Sequence, residues 1–184
     1  APELASEKVP EAQTFMFPGG LQDHLAEDVE GEATVTNQPF SGTHEFGQDQ
    51  GRVEWAMHWT VAGDGAHSWY CNTIPTPQGG THEAGFRTAI IKGLKGFAAL
   101  INNRKASDLT ADDALVGTRI MLSLFIPQPQ FQSQTKDRLA SPEAQRLVET
   151  AVKDHFDHWL SEDQERGRAL LQFAIDRMDE RLAR

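Results

Sequence analysis

The residues whose types and spacing suit chemistry most directly are Gln134, Thr135 and Lys136, inside "PQFQSQTKDRL", Pro129 to Leu139. They form a polar loop between an apolar, strand-like run and a strongly amphipathic helix. The ammonium of Lys136 can reach a phosphate as a point charge, and the amide of Gln134 can donate beside it. The same residues also suit a solvated connector before a capped helix, and local pattern leaves both readings open. A second candidate is "QGGTHEAGF", Gln78 to Phe86, which follows a strand and opens a helix. Gly79 and Gly80 let a ligand or another backbone come close. A helix start offers free N–H groups and partial positive charge, which suits phosphate. The alternative is a tight turn with Thr81 as helix cap. The Gly-Lys-Ser/Thr ending of a P-loop is absent.

Other reactive residue types offer less. His155 and His158 stand three apart on one helix, a spacing that can bind zinc, but no cysteine pair or His-Glu-x-x-His motif accompanies them. Cys71 is the single cysteine, which excludes an internal disulfide and suits a reducing compartment. No base pattern near Cys71 or Ser68 makes either a nucleophile. Trp55 and Trp59 share a strand face with Val53 and Met57, which points to core packing.

The elements that must position these residues follow from periodicity. Residues 1–13 are a polar lead-in, and Thr14 to Phe17 reads as a short strand broken by Pro18, Gly19 and Gly20. Leu21, Leu25 and Val29 mark one face of a short helix. Residues 37–51 read as a loop. Val53, Trp55, Met57, Trp59 and Val61 alternate as in a half-buried strand. Asp64-Gly65 supplies hairpin turn chemistry, with residues 66–74 returning as the partner strand. A long helix runs from about Thr81 to Asn102, striped by Phe86, Ile90, Leu94, Phe97 and Ile101. Thr110 caps a short helix with Asp113 in its first turn. "TRIMLSLFIP", Thr118 to Pro127, is an apolar run of strand length, expected at the sheet centre. Ser141 is a cap and Pro142 a first helical residue. A helical stripe follows from Ala144 to Leu160. A last helix starts near Asp163, with Leu170, Leu171, Ala174, Ile175 and Met178 as its stripe. This order predicts an α+β fold: a mixed β-sheet with helices packed on one face, plus a C-terminal helical extension.

The 184 residues suffice for one domain with a sizeable core. Hydrophobic content of 39% and charged content of 24% mark a globular chain. A net charge of −10 argues against a freestanding nucleic-acid binder, which needs clustered lysine and arginine. It leaves room for a local basic surface in a larger assembly. No apolar run approaches membrane-spanning length and no signal-peptide pattern opens the chain, so the expected location is cytoplasmic. A start at Ala1, without methionine, reads as a piece of a longer protein.

Two segments, in this order and at this separation, narrow the alternatives. "YCNTIPTPQGGTHEAGF" and "PQPQFQSQTKDRL" resemble the transducer domain of bacterial type IIA topoisomerases. Asn72, Ile74, Thr76, Gly79, Gly80, Thr81, His82, Gly85 and Phe86 match the first family motif. Pro129, Gln130, Phe131, Gln134, Thr135, Lys136, Arg138 and Leu139 match the second. The resemblance extends from "TFMFPGGLQDHLAE" through "AVKDHFDHWL". The wording "IPTPQGGTH" and the helix "VKDHFDHWL" are more similar to the topoisomerase IV B subunit than to that of DNA gyrase.

The resemblance implies a fold shared with GHMP kinases and a ribosomal protein. It implies residues 14–162 as the transducer and 163–184 as a helix leading towards a TOPRIM domain. It further implies an ATP-hydrolysing DNA topoisomerase whose partners are its own N-terminal GHKL ATPase domain, the TOPRIM domain, a second B subunit, the A subunit and duplex DNA. ATP and Mg2+ belong to the full-length enzyme, and neither is expected to stay bound to this chain alone. By the same resemblance Lys136 contacts the ATP γ-phosphate and Gln134 assists, while the "GGTH" segment is structural. Where some gyrase relatives carry a DNA-lining arginine this chain has Leu115, with Arg119 later, so no DNA contact falls on a named residue. Two other readings share parts of the pattern. One is a kinase-like domain whose glycine loop holds phosphate; the other is a same-fold middle domain of another GHKL ATPase.

Overall fold

The structure, a computed structural model, describes residues 20–61 and 65–184. The lead-in, the short strand expected at Thr14 to Phe17 and most of the turn before Gly65 lie outside the described residues. In chain order the elements are α1 (Gly20–Asp28), β1 (Phe40–Phe46), β2 (Gly51–His58), β3 (Ala66–Cys71), β4 (Ile74–Pro75), α2 (Thr81–Leu100), α3 (Ala111–Leu115), β5 (Arg119–Phe125), α4 (Pro142–Glu162) and α5 (Gln164–Leu182). A 3-10 turn, Arg104–Asp108, joins α2 to α3.

The five strands form one sheet in the order β1-β2-β5-β3-β4. β5 runs antiparallel to β2 and parallel to β3, so the sheet is mixed. Its side chains from Ile120 to Phe125 are all buried, as a continuous apolar run in a central strand requires. This corrects the expected hairpin: β2 and β3 are not partners, because β5 lies between them and pairs with both. The hairpin partner of β2 is instead β1, with Phe40 opposite Met57 and Phe46 opposite Gly51. Its turn has Gln48 at φ 58° and Asp49 at φ 60°, the two left-handed residues of a type I′ connection. Residues 40–46, read as loop, are therefore an edge strand. The apolar alternation is missing there because Gly42 leaves room for the Trp55 indole. A Cβ on Gly42 would lie 2.6 Å from that ring.

Alternation along the strands sorts their side chains onto two faces. Val53, Trp55, Trp69, Cys71, Ile120, Leu122 and Leu124 share one core with Phe86, Ile90, Leu94, Val148, Val152 and Phe156 of α2 and α4. The expected face of long helices is thus present. The short α1 covers part of the opposite face, setting Leu21, Leu25 and Val29 on Ala56 and Met121. No helix among the described residues is long and apolar enough to cross a membrane.

α5 belongs to the same core, burying Leu170, Leu171, Ala174, Ile175 and Met178. Its last turn is tied to α3. Arg181 Nε donates to Asp113 Oδ1 at 2.9 Å and Arg181 Nη2 to Oδ2 at 3.0 Å. Asp113 Oδ2 also accepts from Thr110 N–H at 2.8 Å, completing the expected N-terminal cap. Burial pushes the Asp113 carboxyl up, but the bonds from Arg181 and Thr110 outweigh it and hold the pKa below its ordinary 3.8. A carboxyl with a depressed folded pKa stabilises above its unfolded value and loses that contribution as pH falls through the folded value. Asp113→Asn is therefore expected to cost about 2 kcal/mol near neutral pH, the scale of hydrogen bonds to a charged group. In urea titrations the gap to the parent should narrow as pH falls below 3.8. A gap of constant size down to about pH 3 would show that the carboxylate charge is not the stabilising element.

Candidate functional site

The site grows out of the end of β5. Asn72, at φ 49°, brackets the backbone of Ile126: its Nδ2 donates to Ile126 O at 2.8 Å and its Oδ1 accepts from Ile126 N–H at 2.9 Å. The chain then makes a small antiparallel arm, with Phe131 opposite Leu139. Ala140 N–H donates to Gln130 O at 2.7 Å and Gln132 N–H to Arg138 O at 3.0 Å. The tip closes through Lys136 N–H to Ser133 O at 3.1 Å, with Lys136 at φ 60°. Gln134, Thr135 and Lys136 are all exposed on this tip.

The other edge of the arm is held by the glycine loop. Gln78 N–H donates to Asp137 O at 2.9 Å, Leu139 N–H to Gly79 O at 3.0 Å, and Thr81 N–H to Leu139 O at 3.1 Å. Residues 137–139 are thus the middle strand of a three-stranded mount, and Leu139 is buried at its centre. Gly80 sits at φ 137°, and a Cβ there would lie 2.3 Å from Leu139 O, so only glycine fits. The close approach that the glycines permit is therefore that of Leu139 backbone. This corrects two readings. Thr81 is not the cap: Gly80 takes that position, and the buried Thr81 hydroxyl has no hydrogen-bond partner among the described residues. A glycine cradle for phosphate does not form, since Leu139 occupies it. Ser141 stands at the N-cap of α4 with Pro142 behind it, but its hydroxyl accepts from Gln130 N–H at 2.8 Å instead of capping its own helix.

At the tip, the Lys136 ammonium lies 5.8 Å from the centroid of Phe131. It has no carboxylate partner among the described residues. Phe131 itself packs against the main core. The composition of the tip, one unpaired ammonium and one exposed amide, suits a single phosphoryl group. Sequence patterns do not reveal the roles of Arg138 and Ser141, which tie the arm from either side. Arg138 Nη1 donates to Gln78 O at 3.0 Å.

The other candidates are structural. His155 packs edge-on to Trp55, with centroids 5.1 Å apart, and lies 5.8 Å from His44. Among the described residues no group of three or more His, Cys, Asp or Glu is placed to hold a metal. Burial pushes the Cys71 thiol up to about 12, which removes it as a nucleophile at neutral pH. Arg119 pairs with Glu32 at 2.8 Å and Leu115 is buried.

His82, under the glycine loop, is fully buried with Nε2 2.9 Å from Thr76 Oγ1. The single Thr76 hydroxyl proton goes to Trp69 O at 2.9 Å, so His82 donates through Nε2–H. Burial lowers its pKa from 6.5 to about 4. A folded pKa below the unfolded one means that this stability is complete above 6.5 and is lost as pH falls towards 4, by about 3 kcal/mol. The parent should therefore lose urea resistance over that window, and His82→Gln should lose markedly less. His67 and His155, also lowered by partial desolvation, leave the variant a residual slope. Equal slopes for parent and variant would remove His82 as the acid-sensitive group.

Comparison with known proteins places this arrangement. The sequence model described as DNA gyrase B matches residues 20–184. The B subunit of DNA topoisomerase 4 from Caulobacter vibrioides is 46% identical over 187 residues, covering 100% of this chain and 27% of the relative. That of Bartonella bacilliformis is 48% identical over 179 residues, covering 97% of this chain and 26% of the relative. The chain thus spans roughly a quarter of the length of these curated relatives. The topoisomerase IV ATP-binding domain of Francisella tularensis, solved with a small-molecule inhibitor, superposes with a TM-score of 0.77 at 26% identity, over 90% of this chain and 44% of that one. The 43K ATPase domain of Thermus thermophilus gyrase B, solved with an aminocoumarin, gives a TM-score of 0.78 at 28% identity over the same shares, 90% and 44%. With the family match running through both the glycine loop and the lysine arm, the chain belongs to the DNA gyrase B family.

Proposed function

We propose that this chain is the transducer domain of an ATP-dependent type II DNA topoisomerase, from a B subunit of the topoisomerase IV kind. In this reading Lys136 reaches the γ-phosphate of ATP held in a neighbouring ATPase domain, and Gln134 donates beside it. The observation that carries the reading is an exposed ammonium, free of carboxylates among the described residues, on the tip of an arm bonded along both edges. Support also comes from relatives named as B subunits of DNA topoisomerase 4 at 46% and 48% identity. Further support comes from solved neighbours described as ATP-binding or ATPase domains, of which this chain covers 44%.

The physical logic is that of a γ-phosphate switch. ATP and ADP differ by one phosphoryl group. A lysine that contacts only that group gives the triphosphate state a domain arrangement that ADP does not hold. Loss of the contact after hydrolysis releases the domain. The same charge stabilises the departing phosphoryl group. Mg2+ belongs with the ATPase domain. The remaining partners are the TOPRIM domain, a second B subunit, the A subunit and the duplex passing through the closed clamp. The setting is cytoplasmic.

The test uses the full-length B subunit with its A subunit. Lys136→Ala is expected to lower both ATP hydrolysis and DNA strand passage by roughly 100-fold, the scale of one lost charge-stabilising donor, with the melting temperature unchanged. Persistence of both activities would reduce the arm to a connector. The 184-residue chain by itself is expected neither to bind ATP tightly nor to hydrolyse it. Turnover by the purified chain would contradict the division of labour.

A further inference from the structure

We propose that Arg138 is a positioning residue for Lys136, a role that rests on the γ-phosphate reading above. Lysine's ammonium rides on a flexible stem, so the direction in which it points depends on how firmly its backbone is held. Lys136 takes a left-handed backbone, which costs a non-glycine residue about 1 kcal/mol and persists only when neighbouring contacts over-determine it. Those contacts are the bonds at residues 137 to 139. Gln78 is their hub. Its N–H reaches Asp137 O and its carbonyl accepts from the Arg138 guanidinium, so both of its backbone groups serve the two residues that follow the lysine.

The backbone bonds would survive substitution of almost any side chain. The guanidinium bond would not. Among the described residues it is the side-chain hydrogen bond that joins the arm to the glycine loop. Arg138 is exposed and lies along a shallow groove with Gly80, Glu83 and Arg87, so its removal leaves no cavity in the core. Its loss should widen the range over which the tip swings. Small misplacement of a charge-bearing group is costly for contacts that depend on orientation. Arg138 acts through Lys136 and does not touch nucleotide itself.

The decisive experiment is a double-mutant cycle in the full-length B subunit. The readouts are affinity for the imido-bridged, non-hydrolysable ATP analogue, affinity for ADP, and melting temperature. Arg138→Ala is expected to weaken the analogue about 10-fold, one power of ten being 1.4 kcal/mol, and to leave ADP affinity and melting temperature unchanged. Arg138→Lys, which keeps a donor, should recover part of the loss. In a Lys136→Ala background, Arg138→Ala should have no further effect. An Arg138→Ala effect of equal size in both backgrounds, or on both nucleotides, would mean that Arg138 meets the nucleotide directly and would overturn the positioning role. A fall in melting temperature that accounts for the affinity loss would overturn it in favour of general stabilisation. If Lys136→Ala itself leaves analogue affinity unchanged, the γ-phosphate reading falls and the positioning role falls with it.

Discussion

The backbone of Leu139 is the constraint on which the rest of the site depends. It pairs with Phe131 on one side and with Gly80 on the other, and its own side chain is buried. Two loops far apart in the chain are thereby fused into one structural unit. A side chain at position 80 would collide with that backbone, so the glycine is a steric requirement of the pairing. The same pairing consumes the first N–H of α2, which would otherwise face outward as an anion site. A loop that looks built for phosphate is thus used to hold the loop that carries the lysine.

The mount also sets where any displacement of the arm must go. α2 starts at Thr81, directly after Gly80, and α4 starts at Pro142, three residues after Leu139. These helices approach closely because two glycines of α2 face α4. A Cβ on Gly85 would lie 2.4 Å from Gln145 O, and one on Gly93 would lie 2.4 Å from the Phe156 ring. Such close helix packing leaves little room for independent sliding, since packed interiors resist continuous deformation. Arm, α2 and α4 are thus joined by hydrogen bonds at one end and by close packing along their length.

What is legible in the sequence divides along physical lines. Long periodic elements are readable, because burial of a single helix face leaves a mark every three or four residues. The stripes of α2, α4 and α5 and the central position of β5 follow from that. The Thr110–Asp113 cap is readable because its chemistry is local. Strand pairing is not. The turn signal at Asp64-Gly65 suggests that β2 and β3 are neighbours, yet β5, from much later in the chain, separates them. The edge strand β1 escapes because its partner Trp55 fills the space that an apolar side chain at Gly42 would otherwise take. At the site, Lys136 and Gln134 are recognisable by wording and residue type. Thr81 passes for a cap because its true substitute, the Leu139 carbonyl, lies across the fold. Arg138 looks like one more surface charge because its acceptor is a backbone carbonyl, and carbonyls carry no residue-type signal.

The far end of α2 completes the mechanical argument. Twenty residues of helix span about 30 Å. After its last turn the chain doubles back through the 3-10 turn to α3, which lies beside the first half of α2 where Arg87 pairs with Asp112, and there Arg181 from the last turn of α5 holds Asp113 and also donates to Asp108 O at 3.0 Å. At the far end, Gly167 lets the start of α5 close on α2, since a Cβ there would lie 2.6 Å from the Phe97 ring. The final helix is therefore fixed to α2 near its far end and, through α3, beside its first half, and cannot hang free of the sheet domain. A shift imposed on the arm at the head of α2 meets backbone hydrogen bonds, close helix contacts and, through α3, the Asp113–Arg181 ion pair. Such a path becomes a switch only when its end positions are separately stabilised. One lysine that a single phosphoryl group can hold or release supplies that second state.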